Sequence, residues 1–145
     1  MEPIPILPVE LTNDVISHKS LVIKLMAEQS KVYLRDLNKF SDDVMQHEQE
    51  METDVLPNIA LPHSKSDAVK TPFIVVAKYN QGIVWNNGNK VKLMVLIGAP
   101  QNANKEHLII IAKLASNLAD DNFIGVLLNS DIQQIVAEKI RGLYE

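Results

Sequence analysis

Two nearly continuous apolar stretches, rich in β-branched residues, constrain the fold of this chain more than any other feature. They are PFIVVAKY at residues 72–79 and VKLMVLI at residues 91–97. A strand with one face in water alternates apolar and polar residues, whereas a continuously apolar strand is typical of a sheet that is buried on both faces. Other parts of the same chain must therefore cover each face of the predicted sheet.

Amphipathic helical patterns before and after these strands are candidates for that cover. Apolar residues recur at spacings of three and four from about residue 17, across residues 34–50, and through HLIIIAKLASNLAD at residues 107–120. Two shorter helices follow. The order of helices, strands and helices predicts one α/β domain over residues 1–145, in which a mixed β-sheet is covered by helices on both faces.

Three details of this plan depend on a few residues. A turn at Asn80-Gln81 is predicted to divide residues 72–86 into two strands. The strand that follows, residues 91–97, is predicted to be ended by Gly98 and Pro100. The polar segment after Val44 in the second helix is predicted to lie in water, because it is rich in acidic and amide side chains.

Charge and cysteine content exclude several classes of function. The chain has 14 Lys and Arg against 18 Asp and Glu, a formal net charge of −4, and no run of basic residues. Nucleic acid is therefore not a predicted partner, because a phosphate backbone binds a concentrated basic surface. The absence of cysteine excludes disulfides, thiol nucleophiles and thiolate metal sites. No basic signal begins the chain and no apolar run reaches the ~18 residues of a membrane span, so we expect a cytoplasmic protein without membrane insertion.

His63 is the first residue with a candidate chemical role. It follows Pro62 at the end of the predicted strand in NIALPH, a place where α/β sheets commonly hold functional side chains. Turns are usually completed by Gly, Asn or Asp, so a histidine at this point calls for another explanation. The alternative is an ordinary histidine in a surface loop.

His107 lies in the first turn of the helix predicted from HLIIIAKLASNLAD. If Asn104 is the N-cap, His107 takes the N3 position. Free backbone N–H groups and the positive end of the helix dipole favour a neutral imidazole there and attract anions. The alternative is a polar residue at a fraying helix end.

The two histidines together favour phosphoryl transfer. The chain lacks the GxGxxG, GxxxxGK[ST], GxSxG and HExxH motifs, so any chemistry must come from scattered residues. In this hypothesis one neutral imidazole, that of His63, would attack phosphorus, while His107 and the helix N–H groups would hold the phosphoryl oxygens. A hydroxyl hydrogen bond from Ser64 or Ser66 is a further candidate.

At these residues the chain resembles enzyme IIA of the fructose–mannitol class (type 2) of the phosphoenolpyruvate-dependent sugar phosphotransferase system. The segment TDVLPNIALPHS at residues 53–64 is similar to the family's Thr-x-x-Gly-x-x-Ile-Ala-x-Pro-His block. GIVW, VKLMVLIGAP and EHLIIIAKLASNLAD then follow in the family's order of strand, strand and helix. The likeness extends over residues 17–140.

The resemblance implies a phosphocarrier. His63 would receive a phosphoryl group from phospho-HPr and pass it to a cysteine of a sugar-specific enzyme IIB, and His107 would support the phosphoryl group. No cofactor and no metal is implied. Because the chain has neither the cysteine of a IIB unit nor the membrane helices of a IIC unit, it corresponds to the IIA unit alone.

Two positions depart from the family pattern. His47 stands where the family usually has an arginine before a glutamate, here Glu48, and Leu56 stands where it has a glycine. On spacing alone His47 is interpreted as a solvated residue, and the missing guanidinium removes a bidentate clamp for phosphate. This departure favours an alternative function, a regulatory module of the same fold that binds an enzyme or transcription regulator according to its phosphorylation.

A third hypothesis is a metal hydrolase. Three histidines form an open catalytic zinc site in some enzymes, and His47, His63 and His107 would be the ligands here. No carboxylate spacing in the sequence supports such a site.

Overall fold

The central element of the structure is a five-stranded sheet. The computed structural model describes residues 4–11, 18–51, 53–54, 57–86, 89–130 and 133–144. The strands are β1 (Ile6–Val9), β2 (Asn58–Ala60), β3 (His63–Ser66), β4 (Phe73–Asn86) and β5 (Asn89–Pro100). The helices are α1 (Lys19–Gln29), α2 (Leu37–Glu50), α3 (Lys105–Leu118), α4 (Asp121–Leu128) and α5 (Gln133–Arg141). Short 3-10 turns span Lys31–Tyr33 and Gly142–Tyr144.

Strand β5 organises the sheet, whose order is β1-β4-β5-β2. It pairs antiparallel with β4 and, on its other side, parallel with β2 and then with β3. Strand β1 adds to β4 in parallel. The sheet is therefore mixed, as the sequence predicts.

Helices cover both faces of this sheet. On one face, Val75 and Leu96 belong to a core that α1 and α2 complete with Met26, Phe40 and Val44. On the other face, Ile74 and Val95 belong to a second core, which the last three helices complete with Leu114, Leu118, Leu127, Val136 and Ile140. Burial on both faces explains the continuously apolar strand sequences and confirms the predicted α/β class with a mixed β-sheet. Within the part of the chain that the structure describes, none of the helices is long and apolar enough to cross a membrane.

The predicted turn at Asn80-Gln81 is wrong, because β4 runs without a break from Phe73 to Asn86. Its pairing register with β5 shifts between Lys78 and Ile83, and Gly82 adopts a φ of 82° within the shifted segment. Glycine adopts a positive φ without steric strain, so the irregularity absorbs the extra residues as a bulge does and the strand continues.

The predicted extent of the domain, residues 1–145, stays a prediction.

The predicted end of β5 after Ile97 is wrong, because the strand continues through Gly98 and ends at Pro100, the second of the two residues expected to end it. The reason for a glycine here is packing. A Cβ atom at position 98 would lie 2.4 Å from ring atoms of Phe73, so only a residue without a side chain fits beneath that ring.

Candidate functional site

His63 begins a strand and is not part of a loop, which corrects the alternative interpretation of this residue. After β2 ends, the carbonyl of Pro62 accepts a hydrogen bond of 3.0 Å from the N–H of Ile97, and His63 then pairs with Ile97 of β5. The backbone of His63 is thus held in the sheet, while its side chain is only partly buried. The strand pairing therefore fixes the position of the His63 backbone.

One nitrogen of the His63 ring is engaged and the other is left for chemistry. Nδ1 lies 2.8 Å from the carbonyl oxygen of Leu61. Because a carbonyl oxygen only accepts hydrogen bonds, a neutral His63 carries its proton on Nδ1. Its lone pair therefore lies on Nε2, which is the nucleophilic nitrogen of this tautomer.

His47 contacts His63 directly. The two ring centroids are 4.3 Å apart and the ring planes are inclined by 60°. Nε2 of His47 is buried and has no hydrogen-bond partner among the described residues. The interpretation of His47 as a solvated side chain is therefore wrong, because α2 packs against β3 and brings this residue against the histidine of that strand.

The two rings share a cavity of about 410 Å³ between α2 and β3. Helix α2 lines it with Lys39, Asp43, Gln46, His47 and Glu50. Strand β3 lines it with His63, Ser64 and Lys65, and Gln101 completes it. Its walls therefore carry both signs of charge.

Two side chains close to this site already have partners. Lys39 donates hydrogen bonds to Asp67 at 2.7 Å and Asp43 at 3.3 Å. These bonds, with Asp67 first, raise the pKa of Lys39 above its usual range. The hydroxyl of Ser66 is buried, donates to Asp43 at 2.6 Å and accepts from the N–H of Ala68. Of the two serines considered from the sequence, Ser64 lines the cavity, whereas the hydroxyl of Ser66 is used in hydrogen bonds within the fold.

His107 lies where the sequence predicts it along its helix. Asn104 is the N-cap of α3, and its side chain accepts a hydrogen bond of 2.9 Å from the N–H of His107, which is the N3 residue. The ring, however, lines a second cavity of about 250 Å³. The other residues of that cavity are Ile4, Pro5, Tyr33, Lys70, Thr71 and Pro72. Among the residues that line the His63 cavity, the second imidazole is that of His47 and not that of His107.

Glu48 is a structural support of the site that the sequence prediction missed. It is 2% exposed, accepts a hydrogen bond from Nε1 of Trp85 at 3.1 Å and another from the hydroxyl of Thr53. Lys19 also approaches it, with Nζ 3.8 Å from Oε2. The prediction that α2 lies in water beyond Val44 is therefore wrong for this residue. Helical spacing carried the signal, because Glu48 follows Phe40 and Val44 at intervals of four.

The zinc hypothesis needs three histidines around one point. His47 and His63 touch, but His107 lines the other cavity. In the described ranges, no group of three or more His, Cys, Asp or Glu side chains is arranged to hold a metal ion. Leu56, the other departure from the family pattern, lies outside the described residues.

Comparison with known proteins gives consistent results. A fructose-like EIIA component of the PTS system from Escherichia coli (strain K12) is 29% identical over 107 residues, which cover 72% of each chain. The crystal structure of nitrogen regulatory protein IIA-Ntr from Neisseria meningitidis has a TM-score of 0.74 and 17% identity, and covers 93% of this chain and 91% of its own. The complex of enzyme IIAMTL and phosphorylated enzyme IIBMTL from Escherichia coli contains a chain with a TM-score of 0.69 and 22% identity. This match covers 92% of the present chain and 99% of that chain.

These matches confirm the resemblance found in the sequence. The two structures are less than 25% identical to this chain and show that it shares their fold. The family described as "Phosphoenolpyruvate-dependent sugar phosphotransferase system, EIIA 2" matches residues 8–140, which is most of the chain. The chain therefore belongs to the EIIA 2 family of the phosphoenolpyruvate-dependent sugar phosphotransferase system.

Proposed function

We propose that this chain accepts a phosphoryl group on Nε2 of His63 and passes it to a second protein. Membership of the EIIA 2 family supports a phosphocarrier role in the sugar phosphotransferase system. The observation that carries the assignment to His63 is the 2.8 Å contact between Nδ1 and the carbonyl oxygen of Leu61. It leaves Nε2 as the nitrogen with the lone pair, and the ring lines an open cavity.

The transfer needs no proton movement at His63. Nε2 forms a bond to phosphorus as the bond from phosphorus to the donor's histidine nitrogen breaks, and the electron pair of that bond returns to the donor ring. The phosphorylated ring of His63 keeps its Nδ1 proton and gains positive charge, which the carbonyl of Leu61 stabilises. In the second transfer a thiolate attacks phosphorus, and the electron pair returns to Nε2. Positioning and charge stabilisation are the main requirements of such reactions.

The proposed partners are HPr as donor and a cysteine of a sugar-specific enzyme IIB as acceptor. This chain contains no cysteine, so a cysteine acceptor lies outside its 145 residues. The shared fold with a chain of the complex between enzyme IIAMTL and phosphorylated enzyme IIBMTL supports the second partner. A cytoplasmic location stays a prediction.

The family resemblance gives His107 a supporting role in the proposal, although this residue lines the second cavity and not the cavity of His63. The Asn104 cap holds its backbone at the first turn of α3, and its Nδ1 is buried without a partner among the described residues. We expect His107→Ala to slow phosphorylation while His63 remains the acceptor. An unchanged rate would remove this role.

The test is incubation with phosphoenolpyruvate, enzyme I and HPr. We expect one phosphoryl group, labile in acid, which mass spectrometry places on His63. His63→Gln should abolish the label, and His18→Gln is a suitable control because His18 is exposed and makes no side-chain capping bond. Retained labelling of His63→Gln would contradict the proposal. Transfer to candidate IIB proteins then tests the acceptor.

A regulatory module is the second candidate function. The similarity of fold to nitrogen regulatory protein IIA-Ntr supports this second hypothesis, because one fold can serve unrelated functions. In that case the protein would still be phosphorylated on His63. No IIB protein would accept the phosphoryl group, and a regulator or enzyme would bind only one of the two phosphorylation states.

A further inference from the structure

We infer that His47 holds the phosphoryl oxygens on His63 and makes phosphorylation of His63 depend on pH. The inference rests on the proposed function and adds a positioning residue to it. Its basis is the ring contact of 4.3 Å between the two centroids. Because both rings also line the same cavity, a phosphoryl group that projects from His63 into that cavity lies next to His47.

An unsatisfied nitrogen on His47 supports this role. Nε2 is buried and lacks a hydrogen-bond partner within the described ranges. Buried polar atoms usually have a partner, and an atom without one calls for an explanation such as a role in binding or catalysis. A phosphoryl group on His63 supplies three strong acceptor oxygens, and a protonated His47 has an N–H donor on each ring nitrogen.

The other charged side chains around His47 keep their charges when an anion is added to the cavity. His47 is therefore the group that changes its protonation. On its own helix, Lys39 already binds Asp43 and Asp67, and Glu50 accepts a hydrogen bond from Gln46 at 3.3 Å. From β3, Lys65 and His63 face the same cavity. The walls thus carry two fixed cations, Lys39 and Lys65, and two fixed anions, Asp43 and Glu50. Phosphorylation of His63 adds a phosphoryl group of charge about −2 and one positive charge on the ring, so this balanced set gains net negative charge, and His47 takes up a proton to meet it.

The direction of the pH dependence follows from linkage. If the phosphoryl group favours the protonated form of His47, protonated His47 favours the phosphoryl group by the same factor. Lower pH therefore stabilises the phosphorylated protein relative to the donor, and higher pH removes that stabilisation. A guanidinium at position 47 would stay charged at all of these pH values and would give no such dependence.

The test uses phosphoramidate, a small donor that needs no partner protein. Wild-type protein is phosphorylated, and the ring of His47 is titrated by NMR in both states between about pH 6 and 9. We expect the titration midpoint of His47 to rise by about one pH unit or more on phosphorylation of His63. A shift of that size corresponds to about a tenfold change in the phosphorylation equilibrium across the titration.

Variants separate charge from structure. His47→Gln should lower the equilibrium constant for phosphoryl exchange between phospho-HPr and His63 about tenfold below the midpoint, and His47→Arg should restore it at every pH. Gln49→Ala, an exposed neighbour on α2 outside the cavity, is the matched control and should behave as wild type.

The outcomes distinguish the two proposals. A phosphorylated His63 with an unmoved His47 titration would overturn the inference alone. Failure of both phosphoramidate and phospho-HPr to label His63 would overturn the proposed function, and the inference with it.

Discussion

The indole nitrogen of Trp85 donates a hydrogen bond of 3.1 Å to Oε2 of Glu48, and both residues are buried, with relative exposures of 3% and 2%. The bond joins β4 to the last turns of α2. Because Glu48 directly follows His47, it also fixes the turn of helix that places His47 against His63. The buried carboxylate of Glu48, with its three partners Trp85, Thr53 and Lys19, thus holds the part of α2 that carries His47.

Replacement of that carboxylate should destabilise the protein. Hydrogen bonds to charged groups contribute about 1.5–3 kcal/mol, so we expect Glu48→Gln to lower the free energy of unfolding by about 2 kcal/mol. Urea denaturation followed by circular dichroism measures it. Glu50→Gln, an exposed neighbour on α2, should change stability by less than about 0.5 kcal/mol. Equal effects of the two variants would contradict the role given to Glu48.

Two glycine-to-alanine substitutions should change the free energy of unfolding in opposite directions. A Cβ at position 98 would lie 2.4 Å from the ring of Phe73, which Phe40 and Tyr33 contact at centroid distances of 5.5 and 6.1 Å. The ring has little room to move, so Gly98→Ala should lower the free energy of unfolding by about 3 kcal/mol. A Cβ at Gly125 in α4 would meet no atom within 4 Å, so Gly125→Ala should raise it by about 0.5–1 kcal/mol. Thermal or urea unfolding decides both.

Lys78 should matter for stability in spite of its position in an apolar strand. Its Nζ donates to the carbonyl of Leu128 at 2.6 Å and to that of Ser130, and so satisfies the end of α4 from β4. Lys78→Met keeps the apolar part of the side chain and leaves these acceptors without their donor. We expect a loss of about 2–3 kcal/mol in the free energy of unfolding. Lys92→Met, at an exposed position of β5, should be nearly neutral, and a similar loss there would count against this explanation.

Tyr144 makes stability depend on alkaline pH. Burial raises the pKa of Tyr144 from 10.0 to about 12, so the folded protein holds the phenolic proton more tightly than the unfolded chain. The resulting stabilisation is present below pH 10.0 and is lost as the pH rises from there to about 12. The ultraviolet titration of wild type minus that of Tyr144→Phe should have its midpoint near 12. A midpoint near 10.0 would show that burial has no such effect.

The secondary structure could largely be predicted because it depends on local patterns. The continuous apolar runs indicate strands buried on both faces, and the Asn104 cap marks the start of α3. The uninterrupted course of β4 could not be predicted in the same way. Its continuation through Gly82 depends on pairing with β5, which holds both sides of the irregularity together.

The site could be predicted only in part, because its geometry is tertiary. The motif around Pro62 points to His63, but the contact between His63 and His47 results from the packing of α2 on β3. In the sequence His107 has equal prominence, although its ring lines another cavity. Linear spacing identifies residues capable of chemistry, whereas only the packing of helix on strand shows which of them meet.

The pairing of His63 with Ile97 has a consequence for the order of events. A histidine whose backbone pairs in a sheet, and whose Nδ1 contacts the carbonyl oxygen of Leu61, does not travel between a donor and a recipient as a residue on a mobile arm would. In the proposed reaction both partners must approach the same stationary nitrogen from the same side, so their occupancy of the protein is mutually exclusive. The chain would therefore work by strict alternation, with kinetics of the ping-pong type.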